Sequence, residues 1–198
     1  GDTSFATPGE FVTLCDAISS MPFTEDFEDC PYYLSGVTAY ADAMPYCWTR
    51  INDATSTSNY YPYINTSSTY LIHGAKSMYW YHTTTASSSD NQYAVLPPVD
   101  ATIYNVNDLT MSFYAKTTAT ASPWPLFIVG VMDDPDSVGS FVPVDTITLT
   151  NTATLYVVDF ANYTGNGTYI AIRCPRPTAA RYCSLDDIFL TDDWCDPP

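Results

Sequence analysis

The sequence predicts an all-β protein folded as a two-sheet antiparallel jelly-roll β-sandwich. Short apolar or alternating stretches recur along it, separated by Gly, Pro, Asn and Ser, which is the pattern of strands joined by turns. Helical periodicity is nearly missing, and residues 10–18 alone could sustain a short helix. An apolar fraction of 46% and an aromatic fraction of 15% over 198 residues suffice to fill the space between two sheets.

The first expected strand covers residues 21–28 and is followed by an irregular loop over 31–46. Short strands are expected at 46–51 and 70–72, then at 76–83 and 92–96, the last stopped by Pro97-Pro98. Residues 109–116 alternate most clearly: Leu109, Met111, Phe113 and Ala115 share one face, and Thr110, Ser112, Tyr114 and Lys116 the other. Residues 126–132 are apolar on both faces, as in an interior strand of a packed sheet. Strands at 141–150, 154–160, 167–174 and 182–190 complete the series, with Asn166-Gly167 reading as a tight hairpin turn. The sandwich is placed at 21–191. Residues 1–20 read as a linker or N-terminal extension, and 192–198 as a linker to a following domain.

Six basic residues stand against twenty-two acidic ones, a net charge of −16. Nucleic acid and anionic membranes are poor partners for such a chain, because both need Lys and Arg clusters. No run approaches the roughly 18 apolar residues that cross a bilayer, so no membrane insertion is expected. Charged residues make up just 14%, leaving Thr, Ser, Asn and Tyr to cover the surface, a profile that fits a secreted or cell-surface protein.

Leu185-Asp186-Asp187-Ile188-Phe189-Leu190 sets two carboxylates in a stretch that otherwise reads as a buried strand. Alternation sends one acid to each face, so an acid is buried unless a bulge intervenes. A buried carboxylate needs a partner or a cation. With two Lys and four Arg in the chain, a bound cation is the economical answer, and the cluster Glu25-Asp26-Phe27-Glu28-Asp29 could complete the cage. Asp26, Glu28, Asp186 and Asp187 are therefore the candidate ligands of a structural calcium ion, which takes six to eight oxygens. Arg173 and Arg181 are the alternative partners for these acids. Asp133-Asp134-Pro135-Asp136 reads as a turn.

Six cysteines without a CxxC pair, and with His73 and His82 as the sole histidines, point to disulfides rather than zinc. Spacing leaves many pairings open. The preferred set joins Cys30 to Cys47 across the irregular loop and Cys174 to Cys183 across a hairpin tip, leaving Cys15 for Cys195.

Flat aromatic faces stack on sugar rings, so Tyr60, Tyr61, Tyr63 and Trp124, all in polar and turn-like settings, are the candidate ligand-binding residues. Most of the remaining aromatics must belong to the core. No G-x-S-x-G occurs, neither histidine flanks a nucleophile motif, and no glycine loop suits a phosphate. Catalytic residues are assigned to none of the positions.

Several segments carry a resemblance. Residues Pro22-Phe23-Thr24-Glu25-Asp26-Phe27-Glu28, Cys47-Trp48-Thr49, His73-Gly74-Ala75-Lys76-Ser77-Met78-Tyr79 and Tyr93-Ala94-Val95-Leu96-Pro97 follow one another in order. The same order continues through 109–116, 129–135, 141–145, 163–173 and Leu185-Asp186-Asp187-Ile188. Over about 22–190 the chain resembles the MAM-like jelly rolls known as cleaved adhesin or choice-of-anchor J domains. The resemblance implies a two-sheet sandwich of MAM-like or galactose-binding-like form, carried as a module in large secreted or surface-anchored bacterial proteins. It implies adhesion or glycan binding, with calcium in some members and adjacent domains of the same chain as neighbours. The extra cysteines and the insert between Cys30 and Cys47 depart from that pattern.

The function expected is thus a non-catalytic extracellular adhesion or carbohydrate-binding module of a larger bacterial surface protein, calcium-stabilised, whose partner is a glycan or a host or neighbouring surface protein. Rival readings are a structural spacer without a ligand and a carbohydrate-active enzyme.

Overall fold

The structure, a computed structural model, describes residues 15–36, 38–52, 61–82, 91–176 and 179–193. Its strands are β1 (Phe23–Glu25), β2 (Thr49–Asn52), β3 (Tyr63–Asn65), β4 (Ser77–His82), β5 (Asn91–Val95), β6 (Thr110–Thr117), β7 (Leu126–Met132), β8 (Val142–Thr148), β9 (Thr154–Asp159), β10 (Tyr169–Pro175) and β11 (Arg181–Thr191). One sheet runs β3-β4-β11-β6-β9 with β1 added beside β11; the other runs β2-β5-β10-β7-β8. The named strand pairs are all antiparallel, as the jelly-roll expectation requires. Among the described residues there is no α-helix, and hence none long and apolar enough to cross a membrane.

Alternation decides what enters the core. Met111, Phe113 and Ala115 of β6, with Met78 and Trp80 of β4, point inward from the six-stranded sheet. They meet Ala94, Phe127, Val129, Ile170 and Ile172 from the other sheet. β7, apolar on both faces, lies between β10 and β8 inside its sheet. Its outward surface is covered as well: Phe141 folds back over Gly130, where an added Cβ would lie 2.7 Å from the ring and 2.4 Å from the Val142 carbonyl oxygen. Phe141 also meets Tyr93 edge-on and lies under the Arg173 guanidinium.

Several expectations need correction. β1 stops at Glu25 rather than running to residue 28, because the Glu25 and Asp26 carboxylates accept the Phe27 and Glu28 amides and turn the chain. Phe27 takes φ 63° there and drops its ring into the core. Residues 70–72 form no strand, since the Tyr70 and Leu71 amides bond back to Ser67 in a turn. The strand of that region is β3, too short to announce itself. Asn166-Gly167 makes no hairpin, because β9 and β10 lie in different sheets. Cys174 and Cys183 likewise do not flank a hairpin tip, because β10 and β11 lie in different sheets. The short helix expected at 10–18 lies mostly outside the described residues; Ile18 itself makes a parallel bridge with Val99.

The disulfide pattern also differs. Cys47 bonds to Cys15, with a Cα–Cα distance of 5.1 Å, not to Cys30. The Ile18–Val99 bridge anchors the segment that carries Cys15, while the Cys30 thiol turns toward the Glu25 carboxylate at 3.5 Å. With Cys15 taken, the Cys15–Cys195 pairing fails; Cys195 lies outside the described residues. Cys30, Cys174 and Cys183 are free, buried thiols.

Candidate binding face

β11 organises the outer face of the six-stranded sheet. Along one edge its first half pairs with β4, Arg181 to Leu185, and its last part pairs with β1, Ile188 to Leu190. Asp186 and Asp187 fall in the seam where one neighbour ends and the other begins. On the opposite edge β6 matches Asp186 to Tyr114 and Phe189 to Ser112, so β11 carries one extra residue between those pairs. That is a β-bulge, and Asp187 sits in it at φ 49°. The extra residue lets Leu185 and Ile188 both point into the core while neither acid does.

Asp186 is nevertheless 1% exposed, because the loop that enters β4 lies over it. Its carboxylate accepts hydrogen bonds from the Ser77 hydroxyl at 2.7 Å, the His73 amide at 3.2 Å and the Asp187 amide at 3.0 Å. Burial raises its pKa to about 6, partly offset by these donors. The same loop is pinned from its other side by Glu28, whose carboxylate accepts the Ala75 and Lys76 amides at 2.8 and 3.0 Å. Gly74, at φ 56°, is required there, since a Cβ would lie 2.2 Å from the Glu28 Oε1. Lys76 returns to the carbonyls of Glu28 and Cys30, and His73 pairs with Asp187. Acids from both ends of the chain therefore meet around residues 73–77. Arg173 and Arg181 are engaged elsewhere, over the Phe141 ring and on the Pro123 and Ala180 carbonyls.

Beside this seam opens a cavity of about 710 Å³ lined by Glu25, Asp26, Asp29 and Asp187 together with Tyr46 and Tyr114. Burial raises the Glu25 pKa, and the Cys30 thiol beside it is pushed up to about 12 by burial and by that carboxylate. Among the described residues no three His, Cys, Asp or Glu side chains are grouped closely enough to hold a metal ion as they stand. The acids lining the cavity offer carboxylate oxygens, which suit a hard divalent cation. Of the acids singled out from the sequence, Asp26 and Asp187 line this cavity, whereas Glu28 and Asp186 serve the 73–77 loop.

On the far half of the same outer face the tyrosines gather. Tyr63 of β3, Tyr79 and Tyr81 of β4 and Tyr182 of β11 project outward, and Tyr33, Tyr40, Tyr61 and Tyr70 pack on them from the flanking loops. Tyr33 stacks on Tyr40 at 3.8 Å and Tyr81 on Tyr182 at 4.5 Å, while Tyr61 meets Tyr63, Tyr79 and Tyr81 at 5.2–5.7 Å. Tyr79 and Tyr63 are buried beneath, and the others are half-exposed. Burial raises the pKa of Tyr61, Tyr63, Tyr79 and Tyr81, so these phenols remain uncharged donors and acceptors. The underlying Arg50 donates to the Tyr40 and Pro62 carbonyls, which fixes the loop carrying Tyr61. Two of the sequence candidates, Tyr61 and Tyr63, belong to this field. Trp124 is half-buried in a separate loop and is not among its rings, and Tyr60 lies outside the described residues. Tyr81 and Tyr182 were not singled out from the sequence. The alternation of Met78 and Trp80 with Tyr79 and Tyr81 was the available signal.

The architecture is that of the β-sandwich domains found in bacterial adhesins and in carbohydrate-binding modules. In particular, it matches the K2 cleaved adhesin domain of Lys-gingipain with a TM-score of 0.61 and 17% identity, over 86% of this chain and 98% of that one. The K1 cleaved adhesin domain of Lys-gingipain from Porphyromonas gingivalis matches with a TM-score of 0.58 and 14% identity, over 88% and 99%. The xylan-binding CBM22-1 domain of Paenibacillus barcinonensis Xyn10C matches with a TM-score of 0.51 and 14% identity, over 89% and 97%. No protein-family model and no curated protein sequence matches the chain. The likeness establishes a shared cleaved-adhesin fold.

The buried Asp186 yields a pH signature. Its folded pKa, about 6, lies above the ordinary value of 3.8, so the folded protein holds this proton more tightly than the unfolded chain. The associated stability is complete below about pH 4 and is lost as pH rises through about 6. Chemical denaturation in metal-free buffer should show the wild type losing on the order of 2 kcal/mol relative to Asp186→Asn between pH 4 and 7. A difference between the two proteins that stays constant with pH would contradict this assignment.

Proposed function

We propose that this chain is a non-catalytic extracellular module that serves adhesion or carbohydrate binding in a larger bacterial surface protein. The observation that carries this reading is the tyrosine field on the six-stranded sheet. Half-exposed, uncharged rings backed by buried ones offer flat apolar faces with hydroxyls at their edges, the chemistry that a sugar ring requires. Because the rings already brace one another, little side-chain entropy is lost when a ligand docks. The fold shared with adhesin domains and with a xylan-binding module supports a binding role, and the Cys15–Cys47 disulfide is consistent with an oxidising, extracellular setting. A glycan, or a glycan-bearing surface protein, is the partner this face suits best.

We assign calcium a structural place in the same reading. Glu25, Asp26, Asp29 and Asp187 are the residues that would hold it, all carboxylates lining one cavity between the end of β1 and the bulge of β11. A bound divalent cation there would offset the mutual repulsion of these acids and clamp the two chain ends together.

Glycan-array and calorimetric titrations test the first proposal. Wild-type protein should bind at least one glycan class, and Tyr81→Ala or Tyr182→Ala should weaken that binding about tenfold, the size of one lost stacking contact. Silence across the array would favour a spacer. For the metal, calcium at about a hundredfold excess over its Kd should add roughly 2–3 kcal/mol of stability, seen as a rise in melting temperature. Asp187→Asn, which tolerates the left-handed backbone but removes the charge, should abolish that rise. Identical melting with calcium and with chelator would rule the metal out.

A further inference from the structure

Two cysteines that the binding face does not use meet inside the sandwich. Cys174 of β10 and Cys183 of β11 come from opposite sheets, are 0% and 1% exposed, and belong to the same core cluster. The two side chains lie close enough to interact directly. Strand register holds them there: Cys174 lies opposite Gln92 of β5, and Cys183 is flanked by Trp80 of β4 and Thr117 of β6. The His82 ring contacts the Cys174 carbonyl at 3.1 Å, and the Gln92 amide donates to the Tyr81 carbonyl at 2.7 Å.

We infer that Cys174 and Cys183 become joined in an inter-sheet disulfide when the chain folds in an oxidising compartment, and that this bond staples β10 to β11. Two S–H bonds break and one S–S bond forms. The two electrons and two protons pass to a disulfide-bearing thiol oxidase, whose own disulfide is reduced to a dithiol. Because both side chains point into the same core cluster, rotation about their side-chain bonds would bring the sulfurs together. The bond would tie β10 of one sheet directly to β11 of the other.

Burial dictates when this happens. A thiolate is the reactive species, and burial keeps the Cys174 thiol protonated, so the closed sandwich offers neither a nucleophile nor a path for an oxidant. Oxidation therefore precedes closure of the sheets, and the finished bond is shielded from reductants. The pair is a permanent fastening, not a switch. Cys30 differs, because its thiol faces the Glu25 carboxylate at the wall of the acidic cavity.

The test is a non-reducing peptide map of protein exported to the bacterial periplasm, unfolded in iodoacetamide and digested. A peptide linking Cys174 to Cys183 should accompany the Cys15–Cys47 link, with Cys30 alkylated. Protein made in a reducing cytosol should show Cys174 and Cys183 alkylated, together with Cys15 and Cys47. Replacing both residues, Cys174→Ala with Cys183→Ala, should lower the melting of the periplasmic protein by about 5 °C while its Cys15–Cys47 link persists. The inference is overturned if Cys174 and Cys183 are alkylated in exported protein whose Cys15–Cys47 bond is intact, or if either is linked to another cysteine. It is equally overturned if the link forms and melting is unchanged. Should the double variant not fold, the wild-type map decides the matter, with melting read before and after reductive unfolding and refolding of a Cys15→Ser, Cys47→Ser variant, in which the proposed bond is the one reduced.

Discussion

The bulge in β11 is the constraint on which the outer face depends. By inserting one residue at Asp187, the strand keeps Leu185 and Ile188 in the core and frees two adjacent acids to face the seam between β4 and β1. Asp186, with three hydrogen-bond donors and almost no water, then holds the loop that enters β4. Each such bond to an ionised group contributes about 1.5–3 kcal/mol, and the raised pKa records the cost of desolvation against them. Remove the bulge, and one acid would point into the apolar interior while the loop lost its anchor.

That loop links the two halves of the face. From His73 to Ser77 it reaches toward the acidic cavity through Asp187 and Glu28, and it feeds directly into β4, which carries Tyr79 and Tyr81. The tyrosine field is in effect a second, smaller core laid on the outside of the sheet. Tyr63 and Tyr79 are sealed beneath it, so the rings above them are held rigidly enough to act as a contact surface. A protein with a net charge of −16 presents here a patch built from neutral phenols, whereas its carboxylates converge a short distance away along the same sheet.

Much of this was legible in the residues. The clean alternation of 109–116 foretold which side chains of β6 enter the core, and the doubly apolar 126–132 foretold a covered strand. The convergence of acids from both ends followed from the pairing of the first and last strands. The bulge itself could not be placed, because a plain strand and a bulged one share the same run of residues. The sequence reading turned to a cation for Asp186, since the hydroxyl of Ser77 and the amide of His73 become partners only once the chain is folded. Disulfide pairing failed for the same reason: Cys30 is nearer to Cys47 along the chain, but the Ile18–Val99 bridge anchors the segment from which Cys15 reaches Cys47. β3 is three residues long and follows a proline, so no periodicity could accumulate.

Amide hydrogen exchange on an Asp186→Ala variant tests the role of this carboxylate most directly. The account predicts that the amides of His73, Ala75 and Lys76 lose protection together, while those of β7 and β10 in the opposite sheet keep theirs. Unchanged protection across residues 73–77 would contradict it, because the loop would then stand without the anchor on which the face is built.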